Sequence, residues 1–491
     1  MLNIQKNKSN PFFVLLSLPS TAMGFALSVQ ISALSWILST KYGLEIHEIG
    51  IVWAAGPIAG IIAQPIVGLI SDKTWFMGGR RRPWIVIGSL LAALMLLALP
   101  NLEIIQKIFA SGNDPKAGLL SIAVIVALLL DLSINVSLNP TRSLVADCTT
   151  LDERSKGYTW MQTISGSFAV LAYLIGGILG NLALIYIGAV ITLGAAIIPA
   201  FLIEEPRHLA NIEEVQKEAK DSTGKDILIS VFPLLGLLIY GIYVLISKLF
   251  GVDVPGKIHI GNIYLGSIEF ISLVIFIITS LMVLMNALRL PKNTNEYQKV
   301  LLAHAFTWVG VQTMFIYAFF FLSQKMGLGE GAGKVNSLAF FLLSLVSAIL
   351  PAFVLNPIAK KIGMVRTHYI AIFIMAIGYA GIFFLATSPI VYYVFISIAG
   401  IGWGSVVSLP FAIMSEKVDQ TKMGLYMGIF NLSVVLPQLV ASFKMGEVVN
   451  NAADKSVVFA ICTITLAISG LLWMSVKNEM PAKFPKGEAE G

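Results

Sequence analysis

Long apolar runs separated by short polar turns fill the chain from end to end. A membrane-spanning helix needs about 20 mainly apolar residues. Windows of that kind fall at 12–37, 47–70, 84–102, 118–141, 158–180, 182–203, 227–249, 266–288, 299–323, 336–358, 367–386, 388–413, 423–443 and 456–475. The polar turns between them are brief, with one exception. After the sixth run comes "EEPRHLANIEEVQKEAKDSTGKD" (204–226), a charged stretch that reads as a part-helical linker. The pattern predicts an all-α membrane protein with about fourteen transmembrane helices. The first run has lysines before it but no small-residue cleavage site, and it continues at spanning length, so it is expected to be retained as a span.

Composition narrows the class further. Apolar residues make up 57% of the 491 positions and charged residues 12%, and the mean hydropathy is +0.83. A soluble globular domain has neither so few charges nor so much apolar surface to hide. The net charge of +6 is spread among the turns and does not form a basic patch, so no nucleic-acid partner is expected. With the N-terminus inside, about 24 of the 33 Lys and Arg fall in cytoplasmic segments, which is the bias that orients such proteins and puts both termini in the cytoplasm. Cys148 and Cys462 stand in unrelated segments, which gives no disulfide framework or zinc spacing. Five scattered histidines do not form the cluster that a membrane-embedded enzyme would need, so no enzyme and no metal or other cofactor is expected.

If the pair of runs within 227–290 is an inserted hairpin, six spans remain on each side. That leaves an N-terminal half (1–203), the linker (204–226), the hairpin (227–290), a C-terminal half (291–478) and a cytoplasmic tail (479–491). Two six-helix halves with a site near the bilayer midplane are the plan of major facilitator transporters. Faint internal echoes agree with it. "NPTRSLVADCTTLDERSKG" and "LPFAIMSEKVDQTKMG" each follow a proline with a downstream acid and then a glycine that opens the next helix.

Two stretches carry chemistry. In "GLISDKTWFMGGRRRPW" (68–84), Gly68 precedes Asp72 by four, and Arg80, Arg81 and Arg82 close a tight loop. The plainest function of such a loop is positive-inside anchoring. The spacing also has a mechanism: glycine permits close helix approach, and arginines that pair with carboxylates can make and break a conformational latch. The second stretch is "LLLDLSINVSLNPTRSLVAD" (128–147), which carries Asp131 within an otherwise apolar run. An intramembrane carboxylate costs at least about 2.5 kcal/mol and normally faces a wet cavity or a partner. Asp131, Asn135, Asn139 and Arg142 follow at steps of four, four and three, so they share one helical face. Asp131 lies about 20 Å from the outer end of its helix, close to the midplane, and Arg142 is about 16 Å further on, too far to neutralise it. Asp131 is therefore expected to exchange a proton.

The other polar groups within spans are mostly uncharged: Gln30, Gln64, Gln162, Gln312, Asn431 and Gln438, together with the ring of Trp308. Singly they serve as helix–helix glue; together they suit a sugar, whose hydroxyls need neutral partners and whose apolar face stacks on rings. His304 and Glu269 read as structural.

"WAAGPIAGIIAQPIVGLISDK" (53–73), "GGRRRPW" (78–84), "LDLSINVSLNPTRSLVAD" (130–147), "SLPFAIMS" (408–415) and "GLYMGIFNLSVVLPQLVAS" (424–442) resemble, in order, stretches of plant sucrose–proton symporters and their animal and bacterial relatives. These belong to the glycoside–pentoside–hexuronide cation symporters of the major facilitator superfamily. The resemblance implies that Asp131 is the proton-coupling residue, with Asn135 beside it, and that Pro140, Arg142 and Asp147 continue the family pattern. It also nominates Gln30 for the sugar and is in keeping with a latch drawn from Gly68, Asp72, Arg80, Arg81, Arg82, Arg142 and Asp147. The substrate site is expected from Gln30, Asn135, Trp308, Gln312 and Asn431, which are neutral hydrogen-bonders or an aromatic in spans expected to line the cavity. The expected function is proton-coupled import of a neutral disaccharide or α-glucoside, sucrose or maltose foremost, by a monomer in the cytoplasmic (inner) membrane of a bacterium. A sodium-coupled glycoside symporter and a proton/drug antiporter of the same fold are the alternatives. The hairpin and the loosely matching "HAFTWVGVQTMFIY" depart from the plant pattern and leave the sugar's identity open.

Overall fold

The computed structural model describes residues 3–109, 115–149, 151–206, 224–250, 257–260, 263–418 and 423–478. Most of the expected linker 204–226 and the whole of the tail 479–491 lie outside them. The first half consists of α1 (Asn10–Thr40), α2 (Ile46–Trp53), α3 (Ala55–Lys73), α4 (Arg82–Ala98), α5 (Pro115–Cys148), α6 (Leu151–Leu179) and α7 (Asn181–Leu202). The hairpin supplies α8 (Leu235–Phe250) and α9 (Ser267–Leu284), joined through β1 (Lys257–Ile260) and β2 (Ile263–Gly266). The second half has α10 (Lys292–Phe320), α11 (Ala332–Leu350), α12 (Met364–Leu385), α13 (Pro389–Ser415), α14 (Met423–Val440) and α15 (Val457–Met474).

Among the described residues, thirteen helices are long and apolar enough to cross a membrane. The expected span at 47–70 is present in two pieces, α2 and α3, which meet at Ala54. The sequence there is Ala-Gly-Pro, and Pro57 has no N–H to continue the helical ladder back to Trp53. Glu45 and Glu48 form a capping box that starts α2, with Glu48 accepting the Glu45 N–H at 2.7 Å. The all-α class holds, and the turn of the hairpin adds a short ribbon to it. β1 and β2 form a two-stranded antiparallel ribbon with Ile258 opposite Leu265 and Ile260 opposite Ile263. Ile258, Ile260 and Ile263, β-branched and at alternate positions in their strands, suit a ribbon better than a helix.

The two halves repeat one packing scheme. In the first, α1 packs on α6 and α7, α4 on α5 and α7, and α3 on α5; in the second, α10 packs on α14 and α15, α12 on α13 and α15, and α11 on α13. These pairs correspond one to one, as expected of two copies of a six-helix unit in a major facilitator fold. The hairpin packs on the outside of this arrangement, α8 against α14 and α9 against α10. The most apolar stretches of α1 and of the helix containing α10 are 72% and 83% buried in protein, against 17% for α9. The former are therefore the central helices of each half, and α9 is a lipid-facing one.

Candidate functional site

Asp131, halfway along α5, is buried with 6% of its surface exposed. The Gln30 amide of α1 donates to its Oδ2 at 2.9 Å. The carboxyl also meets Gly56 of α3, where a Cβ would sit 3.4 Å from both carboxylate oxygens. The glycine thus lets the α3 backbone come close to the acid. Gln30 spends one N–H on the carboxylate, while its own Oε1 is buried and unpartnered among the described residues. One amide donor satisfies a carboxylate only in part. The ionised group therefore calls for further donors, which water can supply.

Asn135, one turn on from Asp131, donates its Nδ2 to the Asp131 carbonyl at 2.8 Å, so this amide also braces the local helix. In the second half, Gln438 donates to Gln312 Oε1 at 3.2 Å, joining α14 to α10. Trp308 donates its indole N–H to His304 Nε2 at 2.9 Å. The His304 ring is buried and lies flat on Phe430, 4.7 Å between centroids, which makes it a packing and orienting residue for the indole. Asn431, half-buried on α14, directly follows Phe430.

A chain of rings crosses between the halves. Tyr173 of α6 touches Phe340 of α11 at 5.7 Å, Phe340 touches Phe315 of α10 at 5.5 Å, Phe315 touches Trp403 of α13 at 5.3 Å, and Trp403 touches Trp308 at 6.2 Å. All four contacts are edge-on, the favoured arrangement of aromatic pairs. Trp403 and Phe315 were missed by the sequence reading. The only available signal was a large ring among glycines in "AGIGWGS". On α6, Thr159, Gln162, Thr163 and Ser167 are exposed along one face at helical spacing. Polar side chains at membrane depth belong at a wet cavity.

At the end of the first half that carries the basic loop, Arg81 Nε donates to Asp147 Oδ2 at 2.9 Å and its guanidinium also donates to Ser71 at 2.9 Å. Glu205 accepts the backbone N–H groups of Arg80, Arg81 and Arg82, each at 2.7 Å. Arg82 donates to the Ile203 carbonyl at 2.9 Å. Arg80, Arg81, Arg82 and Asp147 are therefore gathered at one place, with Ser71 and Glu205 added to the residues expected from sequence. Glu205 was hidden in a linker whose charges gave no sign of their partner. Gly68, Asp72 and Gln64 lie on α3, and their surroundings fall outside what the structure describes. Arg142 stands apart: its side chain is exposed, and Tyr158 donates to its carbonyl at 3.2 Å.

At the opposite end the halves close on each other. Ser32 of α1 and Ser337 of α11 share a hydrogen bond, and Asn181 Oδ1 lies within reach of both hydroxyls, at 3.2 and 2.7 Å, and accepts from whichever of them does not donate to the other. Ser35 donates to the Ile316 carbonyl of α10 at 2.9 Å. The Tyr317 hydroxyl donates to the Ser442 carbonyl at 2.9 Å, and Gly50 of α2 fits so tightly there that a Cβ would lie 2.1 Å from the same carbonyl oxygen.

This two-half arrangement has a counterpart in sequence: the profile of the Major Facilitator Superfamily matches residues 16–442. The chain belongs to the major facilitator superfamily. Within the superfamily it is similar to the general alpha-glucoside permease of Schizosaccharomyces pombe, 31% identical over 189 residues, which are 36% of this chain and 34% of that one. The chain thus spans about a third of that permease's length. It is 23% identical to the sucrose transport protein SUC4 of Arabidopsis thaliana over 477 residues, 88% of this chain and 83% of the relative. Among solved structures, the inward-open xylose transporter XylE from E. coli superposes with a TM-score of 0.63 at 13% identity, covering 95% of this chain and 96% of that one. At that identity the likeness concerns the fold. The fold and the relatives of this chain are those of transporters.

Proposed function

We propose that this chain is a proton-coupled importer of a neutral disaccharide or related α-glucoside, working by alternating access. The observation that carries the proposal is Asp131, a carboxylate buried on a central helix and partnered by a neutral amide. Relatives named for α-glucosides and sucrose support the substrate class. Trp308, Gln312 and Asn431 of the second half, with Gln30 and Asn135 of the first, are assigned to the sugar, and the ring chain through Phe315 and Trp403 forms the wall on which its apolar face stacks. Both termini and the basic loop are assigned to the cytoplasm, in the cytoplasmic membrane. The end closed by Ser32, Ser337 and Gly50 is then the outer one, and the conformation is inward-facing.

Coupling follows from differential affinity, because a ligand shifts an equilibrium only as far as it prefers one state. Neutral Asp131 needs little beyond Gln30 and is compatible with the closed, dry site. Ionised Asp131 needs more donors and favours the state open to water. The Arg81–Asp147–Glu205 assembly at the cytoplasmic end ties the first half into one body that rocks against the second. The hairpin within 227–290 is taken to lie outside the transport path. Uptake of a labelled disaccharide panel, with and without a protonophore and with and without sodium, tests the proposal. Accumulation that survives the protonophore and requires sodium would replace the proton, and efflux of apolar cations without sugar uptake would replace the whole reading.

A further inference from the structure

A cavity lies where the hairpin meets the bend at the end of α14, and Asp131 is not among the residues that line it. It encloses about 250 Å³ and is walled by Leu237 and Tyr240 of α8, Ser272 and Phe276 of α9, and Val440 and Val448, which flank the bend. The bend is a π-helical turn, Ala441–Met445, that follows α14 directly. Such turns often mark functional sites. Two features set the cavity apart from a packing defect. Tyr240 and Ser272 are 6% and 2% exposed, and among the described residues neither hydroxyl has a hydrogen-bond partner. A buried hydroxyl without a partner costs about 1–3 kcal/mol, so two together in one apolar cavity point to an occupant with acceptor atoms. At its edge Lys444, 8% exposed, donates to Glu269 at 2.9 Å, to Glu447 at 2.7 Å and to the Tyr264 carbonyl.

The cavity also has an entrance from the bilayer. Leu273 lines it and is 41% exposed, on the same α9 surface as Ile277 and Ile278, which are 49% and 51% exposed. We propose that this cavity is a lipid site: one acyl chain enters past Leu273 from the leaflet at the closed end of the transporter, and its ester oxygens accept from Tyr240 and Ser272. Lys444, Glu269 and Glu447 together carry one net negative charge, so the headgroup is zwitterionic and not anionic. The site adjoins the closed gate, since the same π-turn holds the Ser442 carbonyl against which Tyr317 and Gly50 pack.

The test uses the full-length protein in bilayer nanodiscs containing a phosphatidylcholine with a photoreactive group at mid-chain. Crosslinks are mapped by peptide mass spectrometry. Labelling is expected to concentrate on α8, α9 and the 440–448 segment, to fall at least fivefold in Leu273→Trp, which plugs the entrance, and to fall severalfold in the nearly isosteric double variant Tyr240→Phe/Ser272→Ala. Competition by unlabelled phosphatidylcholine should exceed that by phosphatidylglycerol. Labelling spread evenly around the apolar belt, or unchanged in both variants while they remain monodisperse, would overturn the proposal. Stronger competition by the anionic lipid would overturn the headgroup assignment.

Discussion

Gln30 and Asp131 lie 101 positions apart in the chain and meet in a hydrogen bond of 2.9 Å inside the bundle, an amide on α1 holding one oxygen of a carboxylate on α5. Gln30 occupies only Oδ2, and on the proposed reading the carboxyl carries the coupling proton. Asp131→Asn keeps the volume and the hydrogen bond but cannot release a proton. Uphill, pH-driven sugar accumulation in proteoliposomes should be lost, while sugar exchange at equal concentrations on the two sides persists. Accumulation at the wild-type level would remove Asp131 from the coupling role.

Gln30→Leu deletes the donor and leaves Asp131 with one partner fewer. Loss of a single hydrogen bond of this kind costs about 0.5–1.5 kcal/mol, and somewhat more when the acceptor is charged. Sugar affinity or coupled uptake should therefore fall by roughly tenfold, with exchange less affected than accumulation. Isothermal titration alongside both transport assays separates the two effects.

The gate makes a sharper prediction. Gly50→Val would drive side-chain atoms into the Ser442 carbonyl, which already lies 2.1 Å from where a Cβ would be. A backbone oxygen cannot step aside cheaply, so the closed end should be held open. Spin-label distances across Ser32 and Ser337 should lengthen, sugar should still bind, and turnover should drop by more than tenfold. An unchanged distance distribution would mean that this contact does not control closure.

Arg81 and Asp147 form an ion pair whose side chains are only 6% and 12% exposed. Removing one member of such a pair typically costs 3–5 kcal/mol, because the other charge is left buried. Arg81→Gln and Asp147→Asn should each lower thermal stability and slow transport, and the double variant should be less impaired than the sum of the two. The ranking of sugars should stay as in the wild type, since the pair joins the basic loop to α5 and touches none of the rings. A changed ranking in a stably folded variant would argue that the loop contributes to the substrate site.

For the sugar wall, Trp403→Ala and Trp308→Ala should weaken disaccharide binding more than Gln312→Ala or Asn431→Ala do. Stacking on a ring is worth more than one neutral hydrogen bond, which accounts for up to about tenfold. Competition by neutral disaccharides, hexuronides and sugar phosphates on purified protein reads both affinity and charge preference. Unaltered binding in all four variants would move the cavity to other helix faces.

Much of this architecture is legible in the chain because membrane insertion is governed by local composition. Apolar length decides which segments span, Lys and Arg predict orientation, and an isolated Asp131 draws attention because carboxylates are expensive at that depth. The step of four that joins Asp131 to Asn135 is likewise a local property of the helix, and it appears in the structure as the bond from the Asn135 amide to the Asp131 carbonyl. Partners remote in sequence were decided only by packing. Nothing local links Gln30 to Asp131, Glu205 to the amides of Arg80, Arg81 and Arg82, or Trp403 to Phe315, because side chains of these types pair with many others equally well. The break at Ala54 follows from Pro57, yet its use, setting Gly56 against the Asp131 carboxyl, depends on how α3 leans on α5. Which segments cross the membrane, and which charges are costly there, is thus a local matter of composition and spacing; which groups meet is not, because helix contacts depend on the crossings of whole helices and on the closure of one end of the bundle.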